Sequence, residues 1–179
     1  MTCIRRVAIL YAVPSSDGPC FWILVRHYMD DLTVPGGGGK PKDGTPFQAA
    51  LREGREETYG SLPVSFSKIN QELLYGGSVV PYVERVYGDQ YMVFCFLPEI
   101  NIEDVKASFF QKMLKTKYKK RETLDIAFVT TEELLKLING NIYQLNGKDL
   151  YLYSVDQKFL SNPESLFIIQ QFEKYSDID

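Results

Sequence analysis

Glu53, Glu56 and Glu57 place three carboxylates at i, i+3 and i+4 within one short run of the chain. At about 100° of rotation per helical residue, Glu56 lies about 60° behind Glu53 and Glu57 about 40° ahead of it, so all three share an arc of roughly 100°. Like charges at these spacings repel by a few tenths of a kcal/mol per pair on an exposed helix. Arg52 and Arg55 could balance a solvated acidic face, but such a face gains nothing from the clustering. A divalent cation reverses the sign, because Mg²⁺ and Mn²⁺ prefer hard carboxylate oxygens. The loop Pro35-Gly36-Gly37-Gly38-Gly39 just upstream favours the metal reading.

These residues need a helix and a scaffold. Thr45 as N-cap and Pro46 at the first helical position open a helix that runs to about Tyr59, with Gly60 as its stop. Upstream, Arg6–Val13 and Phe21–His27 are apolar, β-branched and aromatic runs joined by Pro14-Ser15-Ser16-Asp17-Gly18, which reads as a β-hairpin. Downstream, strands are expected near Ser67–Tyr75, Val80–Val86, Tyr91–Leu97 and Asp125–Val129. Val105, Phe109 and Met113 give Ile102–Lys117 helical spacing, and a further helix starts with Thr131 as its cap. Asn146-Gly147 between Ile142–Leu145 and Leu150–Tyr153 suggests a second hairpin, and Pro163–Tyr175 an amphipathic closing helix. The order predicts an α/β (α+β) fold, an α/β/α sandwich around a mixed β-sheet. With no repeat or low-complexity linker, one domain over residues 1–179 is expected.

Gly38 to Gly60 resembles the Nudix box: Gly, five residues, Glu, seven residues, then Arg-Glu-(apolar)-x-Glu-Glu-x-Gly-(apolar). Aligned without gaps on Arg52-Glu53 and Glu56-Glu57, the opening glycine falls on Gly38. Ala49-Ala50-Leu51 and the glycine loop add to the likeness. The resemblance implies a Nudix fold and a metal-dependent hydrolase of diphosphate bonds, with Mg²⁺ or Mn²⁺ as cofactor. It implies Glu53, Glu56 and Glu57 as metal ligands, completed by the carbonyl of Gly38 or Gly39, and Arg52 as the residue that orients the carboxylates. The metals would bridge the diphosphate oxygens and generate or orient a nucleophilic water.

Three positions depart from the box. Its first glutamate, a support for the arginine in the family, is Gly44, and Asp43 is the candidate substitute. The apolar position after Glu53 is Gly54, at a cost of about 1 kcal/mol in helix propensity relative to Ala. Tyr59 stands at the closing glycine, which is displaced to Gly60. All three core carboxylates remain.

Glu122, just before the strand at Asp125–Val129, matches the stretch where many relatives carry a general base or further metal ligand; it reads either as the base or as an ordinary surface glutamate, and Glu103 and Asp125 are the weaker choices. The single histidine, His27, ends a strand and reads as structural. Lys112, Lys115, Lys117, Lys119, Lys120 and Arg121 put six cations in ten residues. Such a run is either a solvated helix end or a guide for a phosphate-rich substrate, with Lys119 and Arg121 in contact. Lys40 and Lys42 on the glycine loop could also touch phosphate. Tyr28, Tyr75, Tyr82 and Tyr87 could stack a base.

The net charge of −3 argues against a dedicated DNA-binding protein. Cys3, Cys20 and Cys95 show neither disulfide nor metal spacing, and Cys20 and Cys95 read as buried thiols in a reducing, cytoplasmic setting. No signal peptide is evident, and Tyr91–Leu97 is too short to span a membrane. The Pro-Gly-Gly-Gly loop is similar to that of the diadenosine and diphosphoinositol polyphosphate branch. The expected substrate is therefore a nucleoside diphosphate linked to another moiety, with dinucleoside polyphosphates leading. RNA-cap or RNA-end hydrolysis and a non-catalytic nucleotide-binding module are the alternatives. The oligomeric state is left open, a homodimer included.

Overall fold

The computed structural model describes residues 4–14, 18–62, 82–97 and 100–175, with side chains to 173. The expected strand at Ser67–Tyr75 falls outside these residues. Alternation of apolar side chains sends Val7, Ile9, Tyr11 and Val13 of β1 (Arg6–Val13) to one face of the sheet and Ala8, Leu10 and Ala12 to the other. β2 (Phe21–His27) splits likewise, Ile23 and Val25 against Trp22 and Leu24. A strand buried on both faces needs helices on both, and the described residues supply five.

On the first face lie α1 (Pro46–Glu57) and α2 (Ile102–Lys115), which contribute Ala49, Ala50, Leu51, Val105 and Phe109. On the second lie α3 (Thr131–Ile138), α4 (Ser154–Leu160) and α5 (Pro163–Tyr175), with Leu134, Phe159, Ile169 and Phe172. The α/β/α sandwich is as expected. Between the layers the sheet is mixed: β1 runs parallel to β6 (Gln90–Phe96), and β5 (Tyr82–Tyr87) antiparallel to β6. β7 (Thr123–Thr130) lies antiparallel to β2 along its length.

β1 and β2 pair only at one end, Ala12 with Trp22 and Val13 with Phe21. Beyond that they part. β3 (Leu32–Thr33) takes the freed edge of β2 at Val25 and Arg26, and β4 (Gly36–Gly37) takes the freed edge of β1 at Val7 and Ala8. The glycine loop is thus threaded between two diverging strands. Only glycine fits there, since a Cβ on Gly36 would lie 2.4 Å from the Val7 carbonyl oxygen.

Several boundaries differ from the sequence expectation for identifiable reasons. α1 ends at Glu57 because Tyr59 (φ 53°) and Gly60 (φ 64°) both enter the left-handed region. α3 is capped by Thr130, whose hydroxyl accepts from the Glu133 N–H at 3.2 Å; Thr131 lies inside the helix, its hydroxyl accepting from Trp22 Nε1 at 2.8 Å. The second hairpin shortens to β8 (Tyr143–Leu145) and β9 (Lys148–Leu150) around Asn146 (φ 50°) and Gly147 (φ 80°).

Gly54, unexpected in the box, seats α1 on β1. A Cβ there would lie 2.5 Å from Ile9 Cγ2 and 2.6 Å from the Tyr11 hydroxyl, so helix and strand approach too closely for any side chain. Gly54→Ala is expected to destabilise the protein by about 1–3 kcal/mol through overpacking, despite the better helix propensity of Ala. Urea denaturation would show this as a lower midpoint at unchanged slope.

Candidate active site

α1 begins with a reciprocal cap: Gln48 N–H donates to the Thr45 hydroxyl and Thr45 N–H to Gln48 Oε1, both at 3.2 Å. Counting forward from that fixed start, Glu53 and Glu57 turn inward toward β4 while Glu56 stays at the rim. Glu57 is 5% exposed and accepts the Gly36 N–H at 2.9 Å. Burial pushes its carboxyl up to about 8, against the lowering effect of that hydrogen bond. Glu53 is also buried, and desolvation raises it despite the neighbouring Arg52. Its carboxylate lies over Gly37, where a Cβ would stand 2.6 Å from Oε2.

Arg52 is the hub. Its Nε and Nη2 donate to the two oxygens of Asp43 at 2.7 and 3.0 Å, a bidentate clamp. Nη1 reaches Glu53 at 2.8 Å and Glu56 at 3.0 Å, and Nη2 also donates to the Gly38 carbonyl at 2.9 Å. The clamp holds the Asp43 carboxyl down at about 2. Asp43 ends a 3₁₀ turn at Pro41–Asp43, and Gly44 after it takes φ 77°. A glutamate at position 44 would be strained in that conformation, so the arginine's partner is the preceding acid.

As arranged, no three acidic, histidine or cysteine side chains among the described residues stand close enough to hold a metal ion. Glu53 and Glu56 are drawn onto Arg52, Glu56 also meets Lys40 at 3.7 Å, and the Gly38 carbonyl is engaged by the same guanidinium. The donor chemistry nevertheless suits a hard divalent cation: two buried, poorly compensated carboxylates, a third at the rim and a glycine backbone. Cβ atoms built on Gly38 and Gly39 would meet nothing within 4 Å, so this backbone is open to approach. Arg52 takes one oxygen of each carboxylate, Oε1 of Glu53 and Oε2 of Glu56, so it can orient both while Asp43 holds it.

The other sequence candidates distribute around this helix. Glu122 is exposed and lines a 210 Å³ cleft with Glu56, Tyr59, Lys120 and Thr123. Asp125 is turned elsewhere, its carboxylate taking the Asn146 side-chain amide at 2.6 Å and the Ile126 N–H at 2.9 Å. Glu103 is exposed and pairs with Lys106 on α2. Lys40 and Lys42 flank the 3₁₀ turn, with Lys42 in a 510 Å³ cleft beside Arg52, Arg55 and Glu56. Arg121 caps α2, donating to the carbonyls of Thr116 and Leu114 at 3.0 and 3.1 Å. Lys119 sits beside it in a 3₁₀ turn, Tyr118–Lys120. Tyr28 and Tyr87 are exposed, Tyr82 packs on Phe47, and Tyr75 lies outside the described residues.

Long-range contacts that local sequence does not encode complete the site. Thr123 donates its hydroxyl to the Glu57 carbonyl at 2.7 Å, and Tyr59 donates to the Thr123 carbonyl at 2.6 Å. This lashing fixes the start of β7, and with it Glu122, against the end of α1. A third cleft, 370 Å³, opens between the diverging strands and is lined by Arg6, His27, Asp31, Glu57 and Tyr153 among others. Burial lowers His27 from its ordinary value, against the raising effect of Glu122 and Asp31.

Without metal, the folded protein keeps a proton on Glu57 that the unfolded chain gives up above its ordinary value of 4.5. Metal-free stability should therefore be highest near that value and decline as pH rises toward about 8. Melting temperatures in chelator across this window check it, and Glu57→Gln should flatten the decline.

A family model described as the NUDIX domain matches residues 4–146. No curated protein matches the sequence. Similar solved structures include an Ap4A hydrolase binary complex from C. elegans, at 12% identity, 92% of this chain, 98% of that one and TM-score 0.48. The Nudix hydrolase RenU of M. Smegmatis gives 13%, 97%, 85% and 0.47. A NUDIX hydrolase of Alicyclobacillus acidocaldarius gives 12%, 97%, 93% and 0.49.

Proposed function

The chain belongs to the Nudix family of pyrophosphohydrolases, and we propose that it cleaves, with Mg²⁺ or Mn²⁺, the diphosphate bond joining a nucleoside to a second moiety. The observation that carries this reading is the turn of α1 that presents Glu53, Glu56 and Glu57 against an open glycine backbone, with Arg52 clamped by Asp43 beside them.

Glu53, Glu56 and Glu57 would hold the cation, with the Gly38 carbonyl released by Arg52 as a further ligand. The bound cation supplies charge neutralisation for the diphosphate and acidifies a water. Arg52, anchored on Asp43, keeps the carboxylates in order. Glu122 faces the same turn across the cleft shared with Glu56 and takes the proton of the attacking water. A new oxygen–phosphorus bond forms, the anhydride bond breaks, and the leaving phosphate carries the bonding pair. Lys40 and Lys42 meet the phosphates. The cleft between the diverging strands takes the non-phosphate moiety: Asp31 supplies an acceptor, Tyr153 and His27 planar surfaces, and Arg6 is already neutralised by Asp156.

RNA-end hydrolysis is the second reading, and it leans on residues 112–121. Arg121 is committed to the end of α2, which leaves the lysines of this stretch to hold a strand. A small-molecule nucleotide is therefore preferred. Cys20 and Cys95, free and buried, suit a reducing cytoplasm, and no helix among the described residues is long and apolar enough to cross a membrane.

Turnover of nucleoside diphosphate derivatives, followed as released nucleoside phosphate, should require Mg²⁺ or Mn²⁺. Glu56→Gln and Glu57→Gln should each lower kcat by about 100-fold or more. Full activity in both variants, or activity that survives chelation, would sink the mechanism.

A further inference from the structure

The clefts on either side of the carboxylate turn differ in charge. The one between the diverging strands carries Asp31 and Glu57, and the only arginine or lysine lining it among the described residues, Arg6, is paired with Asp156 at 3.3 Å. It offers a polyphosphate no unpaired arginine or lysine among the described residues. The 510 Å³ cleft reached from Glu56 is the opposite: Lys42, Arg55 and Lys112 converge on it from the 3₁₀ turn, α1 and α2. Among the described residues none of these three has an acidic partner, whereas the neighbouring Arg52 is satisfied by Asp43, Glu53 and Glu56. Lys112 Nζ spends one proton on the Gly60 carbonyl at 3.0 Å and keeps two. Unpaired cations gathered from three segments repel one another, and a polyanion in the cleft removes that repulsion. Glu56 itself lines this cleft, so the cations reach the turn that bears the carboxylates.

We infer that the Lys42–Arg55–Lys112 cleft is a subsite for phosphates beyond the scissile pair, which makes this chain selective for substrates bridged by a longer polyphosphate. This rests on the reading of the carboxylate turn as the reaction centre. The nucleoside enters on the Glu57 side, the scissile diphosphate crosses the turn, and the remaining phosphates run out past Glu56 onto Arg55 and Lys112.

Two measurements separate this inference from its premise. The first compares kcat/KM for a dinucleoside tetraphosphate and a dinucleoside diphosphate in the wild type, Arg55→Gln and Lys112→Gln. The wild type should favour the tetraphosphate, and each variant should lower the ratio of the two values about tenfold, since charge-assisted contacts are removed from one substrate only. Equal preference in the wild type, or an equal loss on both substrates, would overturn the subsite. The second is calorimetric binding of inorganic tripolyphosphate in chelator, which needs neither metal nor turnover. Arg55→Gln should weaken it about tenfold, and Arg55→Lys should restore most of the loss. If the wild type hydrolyses neither nucleotide, the functional reading fails while this binding still decides the cleft; affinity unchanged by Arg55→Gln would dismiss it. Arg55 is exposed with no acidic partner to lose, so its replacement leaves the fold intact.

Discussion

The carboxylates of Glu53 and Glu57 are held nearly out of water beneath a strand of two glycines. A buried carboxylate gives up its hydration and regains stability only from hydrogen-bond donors, a cation or a proton. Glu57 has the Gly36 N–H, and Glu53 has Arg52. For those donors to be in place, β4 must lie alongside β1, which requires β1 and β2 to part. α1 must also press close to β1, which requires Gly54. The compensation remains incomplete, and the residual demand for positive charge is what suits the pair to a divalent cation.

Two remote anchors keep this arrangement from relaxing. Asp156, wholly buried on α4, accepts the Val34 N–H at 2.9 Å and the Gln90 side chain at 3.2 Å, and it pairs with Arg6, which itself donates to the Val34 carbonyl at 2.9 Å. The segment leading into the glycine loop is thereby tied to β1, β6 and α4 at once. At the other end, Tyr59 adopts a left-handed conformation at a cost of about 1 kcal/mol, which its bond to Thr123 and its ring contact with Phe109 at 5.1 Å offset. The substitution that spoils the box in the sequence thus secures the end of α1.

Much of the fold was legible because its signals are local. The apolar alternation of β1 and β2, the Thr45-Pro46 start of α1 and the Asn146-Gly147 turn each depend on residues within a few positions. The two-residue strands β3 and β4 carry no periodicity, and α4 has no cap of its own to announce it. In the site, the carboxylate turn was visible from spacing, whereas spacing did not select Asp43 as the partner of Arg52. Tyr153, Thr123 and Asp156 were not visible, because they act on partners 64 to 150 residues away or line a cleft that exists only once the chain is folded. Arg121, expected from the sequence as a phosphate contact, donates to carbonyls at the end of the preceding helix α2.

A cation that replaces the proton on Glu57 must release it, so metal binding and proton release should be coupled. Calorimetric titration of the metal-free protein with Mn²⁺ at pH 7, repeated in buffers of different ionisation enthalpy, counts the protons that leave as metal binds. Saturable binding with release of about one proton per protein is predicted, falling away above pH 8 as Glu57 ionises on its own. No saturable binding, or binding with no proton released at pH 7, would contradict the assignment of the buried carboxylate pair as the metal site.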